Sequence, residues 1–140
     1  MFSHVTVGTT DLHAAAEFYD AILLPLGLIR RQVTPDGGPA AACWVSPNHL
    51  LPRFYVYMPF NRKAATAGNG SMTAFLAPSK AAVDHAYSAG ISAGGLDDGA
   101  PGERTRYGVD YYGAYIRDPD GNKVHIVYRG DLLEGTSHAV

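Results

Sequence analysis

Residues 2–8, FSHVTVG, alternate along the chain: Val5 and Val7 fall on one face, and Phe2, His4 and Thr6 on the other. Such a period of two predicts a half-buried strand. Asp11 then stands where a helix N-cap is needed, and Ala15, Phe18, Tyr19, Ile22 and Leu23 recur at the spacing of one helical face. The spacing predicts an amphipathic helix to about Leu24, stopped by Pro25 and Gly27. Short extended runs follow around 28–33, 41–46 and 53–58, divided by Pro35-Asp36-Gly37-Gly38 and by Pro47-Asn48. Residues 59–70 are small and polar and read as a linker.

The pattern then restarts. Residues 71–77 predict a strand, Ser79 caps a second helix with the stripe Val83, Ala86, Tyr87 and Ile91, and Gly94-Gly95 end it. The Gly- and Pro-rich stretch 97–110 reads as a loop. YYGAYIRD and KVHIVYR are two strands joined through Pro119-Asp120-Gly121-Asn122, whose Asp-Gly and Gly-Asn steps tolerate the positive φ of a hairpin turn. In one gapless register His4 falls on Met72, Asp11 on Ser79, Ala15 on Val83, Phe18 on Ala86, Tyr19 on Tyr87, Leu23 on Ile91 and Gly27 on Gly95. Any two amphipathic helices share apolar positions, but caps, stripe and stop agreeing together indicate an internal repeat. Beyond the helices, a slightly longer second loop puts Trp44 on Tyr115 and Phe54 on His125. The chain therefore reads as an α+β fold of two tandem β-α-β-β-β modules in a single domain. Module 1 spans about 2–58, the linker 59–70, module 2 about 71–129 and a tail 130–140.

Composition narrows the function classes. A chain of 140 residues has the size of one domain, and 46 % hydrophobic residues with a net charge of −2 exclude disorder. The same charge balance leaves no electrostatic footprint for nucleic acid. Cys43 is the only cysteine, which excludes an internal disulfide and a Cys-rich zinc module. No apolar run is long enough for a membrane span, and the amino terminus lacks an export signal, so a soluble cytoplasmic protein without nucleic-acid or membrane partners is expected. No Gly-rich phosphate loop joins strand to helix, and no Ser lies in a G-x-S-x-G context.

The two modules, opening S-H-V-T-V and closing Y-Y-G-A-Y-I-R-D-P-D-G-N-K-V, resemble the glyoxalase, bleomycin-resistance and extradiol-dioxygenase (vicinal oxygen chelate) superfamily over about residues 2–129. D-L-H-A-A-A-E-F-Y-D-A-I-L-L-P-L-G-L is similar to the first helix of small bacterial members, and G-G-L-D-D-G-A-P-G-E-R-T-R-Y to the loop after their second helix. The resemblance implies that a curved mixed sheet forms a cup with the helices outside, a small-molecule pocket within, and a homodimer. It also implies one divalent metal (Zn, Ni, Fe or Mn) held by side chains on the concave strands. Carried over by position, those places are His4, Phe54 or Tyr55, Met72 and His125. Alternation alone points His4 away from Val5 and Val7, and His125 away from Val124 and Ile126, so both imidazoles are candidate ligands. The set departs from the family, with Met72 where a His is usual, His125 where a carboxylate is usual, and an aromatic at the fourth place. Catalytic zinc normally takes three protein ligands.

Trp44, Tyr55, Tyr57 and Tyr115 lie on strands whose concave faces meet the expected pocket, as stacking surfaces or as core. Arg104, Arg106 and Tyr107 lie in the 97–110 loop, where an Arg either holds a carboxylate or phosphate or balances Asp97, Asp98 and Glu103. The expected ligand-binding set is Trp44, Tyr55, Met72, Arg104, Tyr107 and Tyr115. Three functions stay open. One is a metal-assisted lyase, isomerase or dioxygenase that polarises two vicinal oxygens. The second is a metal-free, antibiotic-type binding or resistance protein for a small aromatic or cationic compound. The third is a non-catalytic interaction domain with a filled cup.

Overall fold

The computed structural model describes residues 1–132. β1 (His4–Gly8) leads into α1 (Leu12–Leu23), where the Asp11 carboxylate accepts from the Ala14 N–H at 3.1 Å and caps the first turn. β2 (Ile29–Arg31), β3 (Ala41–Val45) and β4 (Arg53–Tyr57) complete a four-stranded sheet in the order β1-β4-β3-β2. It is mixed, because β1 runs parallel to β4 while β2, β3 and β4 pair antiparallel. β5 (Thr73–Leu76), α2 (Lys80–Ser92), β6 (Leu96–Glu103), β7 (Tyr111–Arg117) and β8 (Lys123–Arg129) repeat the plan in the order β5-β8-β7-β6, with β5 parallel to β8. The tandem β-α-β-β-β architecture expected from the repeat is the one observed.

Two elements differ from expectation. Leu96–Glu103, which takes in the first half of the stretch expected as a loop, pairs with β7 as β6, an irregular strand with register shifts on either side of Gly99. Gly99 has φ +150°, and this unusual backbone hides a strand inside a Gly- and Pro-rich stretch. On α2, Ile91 is 38 % exposed and Gly90 is buried in its place. Gly90 faces α1 so closely that a Cβ would lie 2.7 Å from Ile22 Cγ2 and 2.8 Å from Ile116 Cδ1.

Alternation decides which side of each sheet joins the core. Ala42, Trp44, Phe54 and Val56 of the first sheet, and Ala114, Ile116, Val124 and Ile126 of the second, belong to one buried cluster with both helices. Phe54 meets Phe75 edge-on with ring centroids 5.0 Å apart, so the core is continuous between modules. This corrects the register expected for the third and fourth strands. Trp44 and Phe54 face the core, whereas Tyr115 and His125 face away from it. Their core-facing counterparts are Ile116 and Val124, one residue along, and in a strand one residue is a change of face.

Candidate functional site

The second sheet concentrates chemistry on the face away from the helices. On β8 that face presents Lys123, His125, Val127 and Arg129, and on β7 it presents Tyr111, Gly113, Tyr115 and Arg117. His125 stands directly opposite Tyr115 and is 1 % exposed. The two rings stack with centroids 4.1 Å apart and planes within 10°. Gly113 makes room for the imidazole, since a Cβ there would lie 2.6 Å from His125 Cε1.

Both ring nitrogens of His125 are engaged. Nδ1 lies 2.9 Å from the Ala114 carbonyl oxygen, and Nε2 lies 2.9 Å from the Tyr111 hydroxyl. A carbonyl only accepts, so Nδ1 carries the proton and Nε2 accepts from Tyr111. Burial pushes the His125 pKa below its usual value; the Ala114 carbonyl opposes this, and Arg104, Lys123 and Arg129 add to it. The imidazole is thus neutral at pH 7. Because the folded state resists protonation, its contribution to stability is full above about pH 6.5, the ordinary imidazole value. The contribution is lost as pH falls through the depressed folded pKa, where both states bind the proton. Melting temperatures between pH 7.5 and 5 should fall more steeply for the wild type than for His125→Gln; parallel curves would contradict the assignment.

Cations surround this stack. The Arg104 guanidinium lies 5.7 Å and the Lys123 ammonium 5.0 Å from the Tyr115 ring centroid. Arg129 lies 4.9 Å from the Tyr111 centroid and pairs with Asp131 at 2.7 Å. Tyr107, half exposed on a 3₁₀ turn, approaches Tyr111 with centroids 5.1 Å apart, and Arg106 lies over its ring. Arg104, Tyr107, Tyr115 and His125, all singled out from the sequence, therefore share one neighbourhood. Tyr111, Lys123 and Arg129 belong to it as well. Stepping by two from Tyr115 and His125 would have found them.

On the first sheet, His4 meets Tyr55 edge-on at 5.6 Å, and its Nδ1 lies 3.0 Å from the Ser3 hydroxyl. The Tyr55 hydroxyl accepts from Arg53 at 3.2 Å, and Tyr57 lies beside Tyr55 at 5.6 Å. Trp44 does not join them. It is fully buried on the helix side, where its indole N–H donates to Asp20 at 2.9 Å. Met72 precedes β5 and is half exposed. Trp44 thus lies on the core side of the first sheet and His125 on the side of the second sheet away from the helices, so the two do not face one cavity. A cleft of about 540 Å³ lies instead between the modules, with Phe2, Leu28, Trp44 and Phe75 in its wall. Another of about 550 Å³ opens beside Gly38, Phe60, Arg62 and Lys63.

The family model for the Glyoxalase/Bleomycin resistance protein/Dioxygenase superfamily matches residues 1–126. The chain belongs to this superfamily. A solved glyoxalase/bleomycin resistance protein from Albidiferax ferrireducens T118 is 40 % identical, with a TM-score of 0.75 over 92 % of this chain and 98 % of its own. A glyoxalase-related enzyme from Fulvimarina pelagi is 21 % identical, with a TM-score of 0.67 over 92 % of this chain and 88 % of its own. A lactoylglutathione lyase from Agrobacterium tumefaciens is 23 % identical, with a TM-score of 0.62 over 96 % of each chain. The last two share the fold. Among curated proteins no sequence matches the chain.

Glyoxalase-superfamily proteins often use a divalent metal, and His4 and His125 are the residues positioned by family resemblance to hold one. The donor set does not fit. Among the described residues no group of three or more His, Cys, Asp or Glu side chains is placed to hold a metal ion. The Nδ1–H of His125 donates to the Ala114 carbonyl, which leaves Nε2 as its one nitrogen able to ligate, and Nε2 already accepts from the Tyr111 hydroxyl. Met72 offers a soft thioether unsuited to hard or borderline ions.

Proposed function

We propose that this glyoxalase-superfamily protein binds a small molecule on the sheet faces opposite its helices, at a site without a resident metal. The observation that carries the reading is the double engagement of His125 by Ala114 and Tyr111. It makes the imidazole part of a fixed aromatic surface in which each ring is held by its neighbours, the preorganisation a binding site requires. Half-exposed Tyr107 leaves an aromatic edge open to a ligand, which separates this reading from a filled interaction domain. In the same proposal the protein is a cytoplasmic homodimer. A single buried cysteine suits a reducing compartment, and among the described residues no helix is long and apolar enough to cross a membrane. Edge strands β1 and β5 and the exposed side chains of Phe2, Met72 and Leu76 are the kind of surface a second copy covers.

Metal analysis of native, untagged protein tests the central claim. Zn, Ni, Fe and Mn should be substoichiometric, and retention after dialysis should be the same for wild type, His4→Ala and His125→Ala. One equivalent of metal lost on either substitution would overturn the proposal. Light scattering at micromolar concentration should give twice the 14.9 kDa chain mass, and a monomer alone would refute the dimer.

A further inference from the structure

The chain carries a net charge of −2, yet the face around His125 has the opposite sign. Arg104, Arg117, Lys123 and Arg129 gather there, against Asp98 and Asp131. Each carboxylate is already taken. Asp98 accepts from Arg117 Nε at 3.0 Å, and Asp131 accepts from both Nε and Nη2 of Arg129, at 2.9 and 2.7 Å. Lys123 reaches only the shared Asp98, at 3.8 Å. Arg104 donates to the Ala100 carbonyl at 2.8 Å and has no carboxylate partner among the described residues. With Arg106 over the Tyr107 ring, three positive charges are in surplus, and two of them, Arg104 and Lys123, border the ring of Tyr115.

Neutral His125 cannot add to them or offset them. Like charges held beside one aromatic ring repel, and an arriving anion relieves that repulsion while forming charge-assisted hydrogen bonds. A cationic compound would meet the same surplus with no free carboxylate to answer it. We infer that the ligand of this face is a small organic anion, its carboxylate or phosphate held between Arg104 and Lys123 and its planar body against Tyr107 and Tyr111. The inference rests on the proposed binding face and names the ligand class for it. Arg104 supplies a flat fork suited to two oxygens, and Lys123 a point charge.

Calorimetry and melting curves on the full chain, at fixed ionic strength, provide the test, with benzoate and phenyl phosphate as anionic probes, benzamide as neutral and benzylamine as cationic. The two anions should bind and raise the melting temperature, and the neutral and cationic probes should not. Arg104→Gln and Lys123→Gln should each weaken benzoate about tenfold, whereas Arg62→Gln, in the cleft beside Phe60, should leave it unchanged. Benzamide or benzylamine binding as tightly as benzoate, and lost in Tyr115→Ala, would overturn the charge assignment and leave the binding face standing. Anion binding undiminished in the Arg104→Gln/Lys123→Gln double variant would also overturn it. Binding of none of the probes would refute both the ligand class and the binding face.

Discussion

Replacing Trp44 by alanine should cost about 3–5 kcal/mol of stability, the range for removing a large buried aromatic side chain. The indole is fully buried, with Tyr19 and Phe54 at centroid distances of 5.6 and 6.1 Å. Its N–H finds Asp20, so its one polar atom is satisfied, and Asp20 keeps Arg30 at 3.0 Å when the indole is gone. The loss is therefore a cavity in the core and not a broken charge pair. Urea denaturation should show it directly, and the melting temperature should drop by about 10–20 °C. Tyr115→Ala, on the opposite face, should cost far less and instead remove the response to ligand. A Trp44→Ala protein as stable as wild type would mean that the indole lies outside the core.

That contrast marks the limit of what the sequence conveys. The repeat was legible because caps and stops are chemistry of single residues: Asp11 and Ser79 both accept from the N–H three residues on. The α1 stripe follows from period alone, and all five of its positions, from Ala15 to Leu23, are buried, whereas on α2 the stripe drifts from Ile91 to Gly90. Strand faces are harder, because loops between strands absorb insertions freely and a slip of one residue reverses inside and outside. The repeat register therefore puts Trp44 on Tyr115, although its counterpart in the core is Ile116. β6 was hidden for another reason, since Gly99, Pro101 and Gly102 carry the signals of a turn while β7 supplies the pairing that makes a strand. At the site, His125, Arg104, Tyr107 and Tyr115 were visible as isolated candidates. Their assembly with Tyr111 and Lys123 depends on the antiparallel register of β7 and β8, which no local pattern encodes.

Asp118→Ala should be as damaging as any core truncation, although Asp118 sits in a turn. The carboxylate is 1 % exposed and accepts four hydrogen bonds. These come from the Tyr19 hydroxyl at 2.7 Å, the Asn122 side-chain amide at 2.8 Å, and the Asp120 and Asn122 backbone N–H groups at 2.9 Å each. Tyr19 belongs to α1, so one carboxylate ties the β7–β8 turn to the helix of the other module. The turn makes further bonds across the same boundary: Asn122 also donates to the Gly8 carbonyl at 2.9 Å, and Asp120 accepts from the Thr10 N–H at 2.9 Å. Burial raises the Asp118 pKa above the ordinary carboxyl value while its donors oppose that shift, so removing the acceptor strands groups built around an anion. Leaving several buried donors unpaired costs about 1–3 kcal/mol each before relaxation, and about 3–5 kcal/mol is expected in total. Tyr19→Phe removes one donor and should cost about 1–2 kcal/mol in the wild type, read by urea denaturation. In the Asp118→Ala background the same change should cost almost nothing, because the hydroxyl has already lost its acceptor. Additive losses in that double-mutant cycle would show that the two modules are not coupled through Asp118.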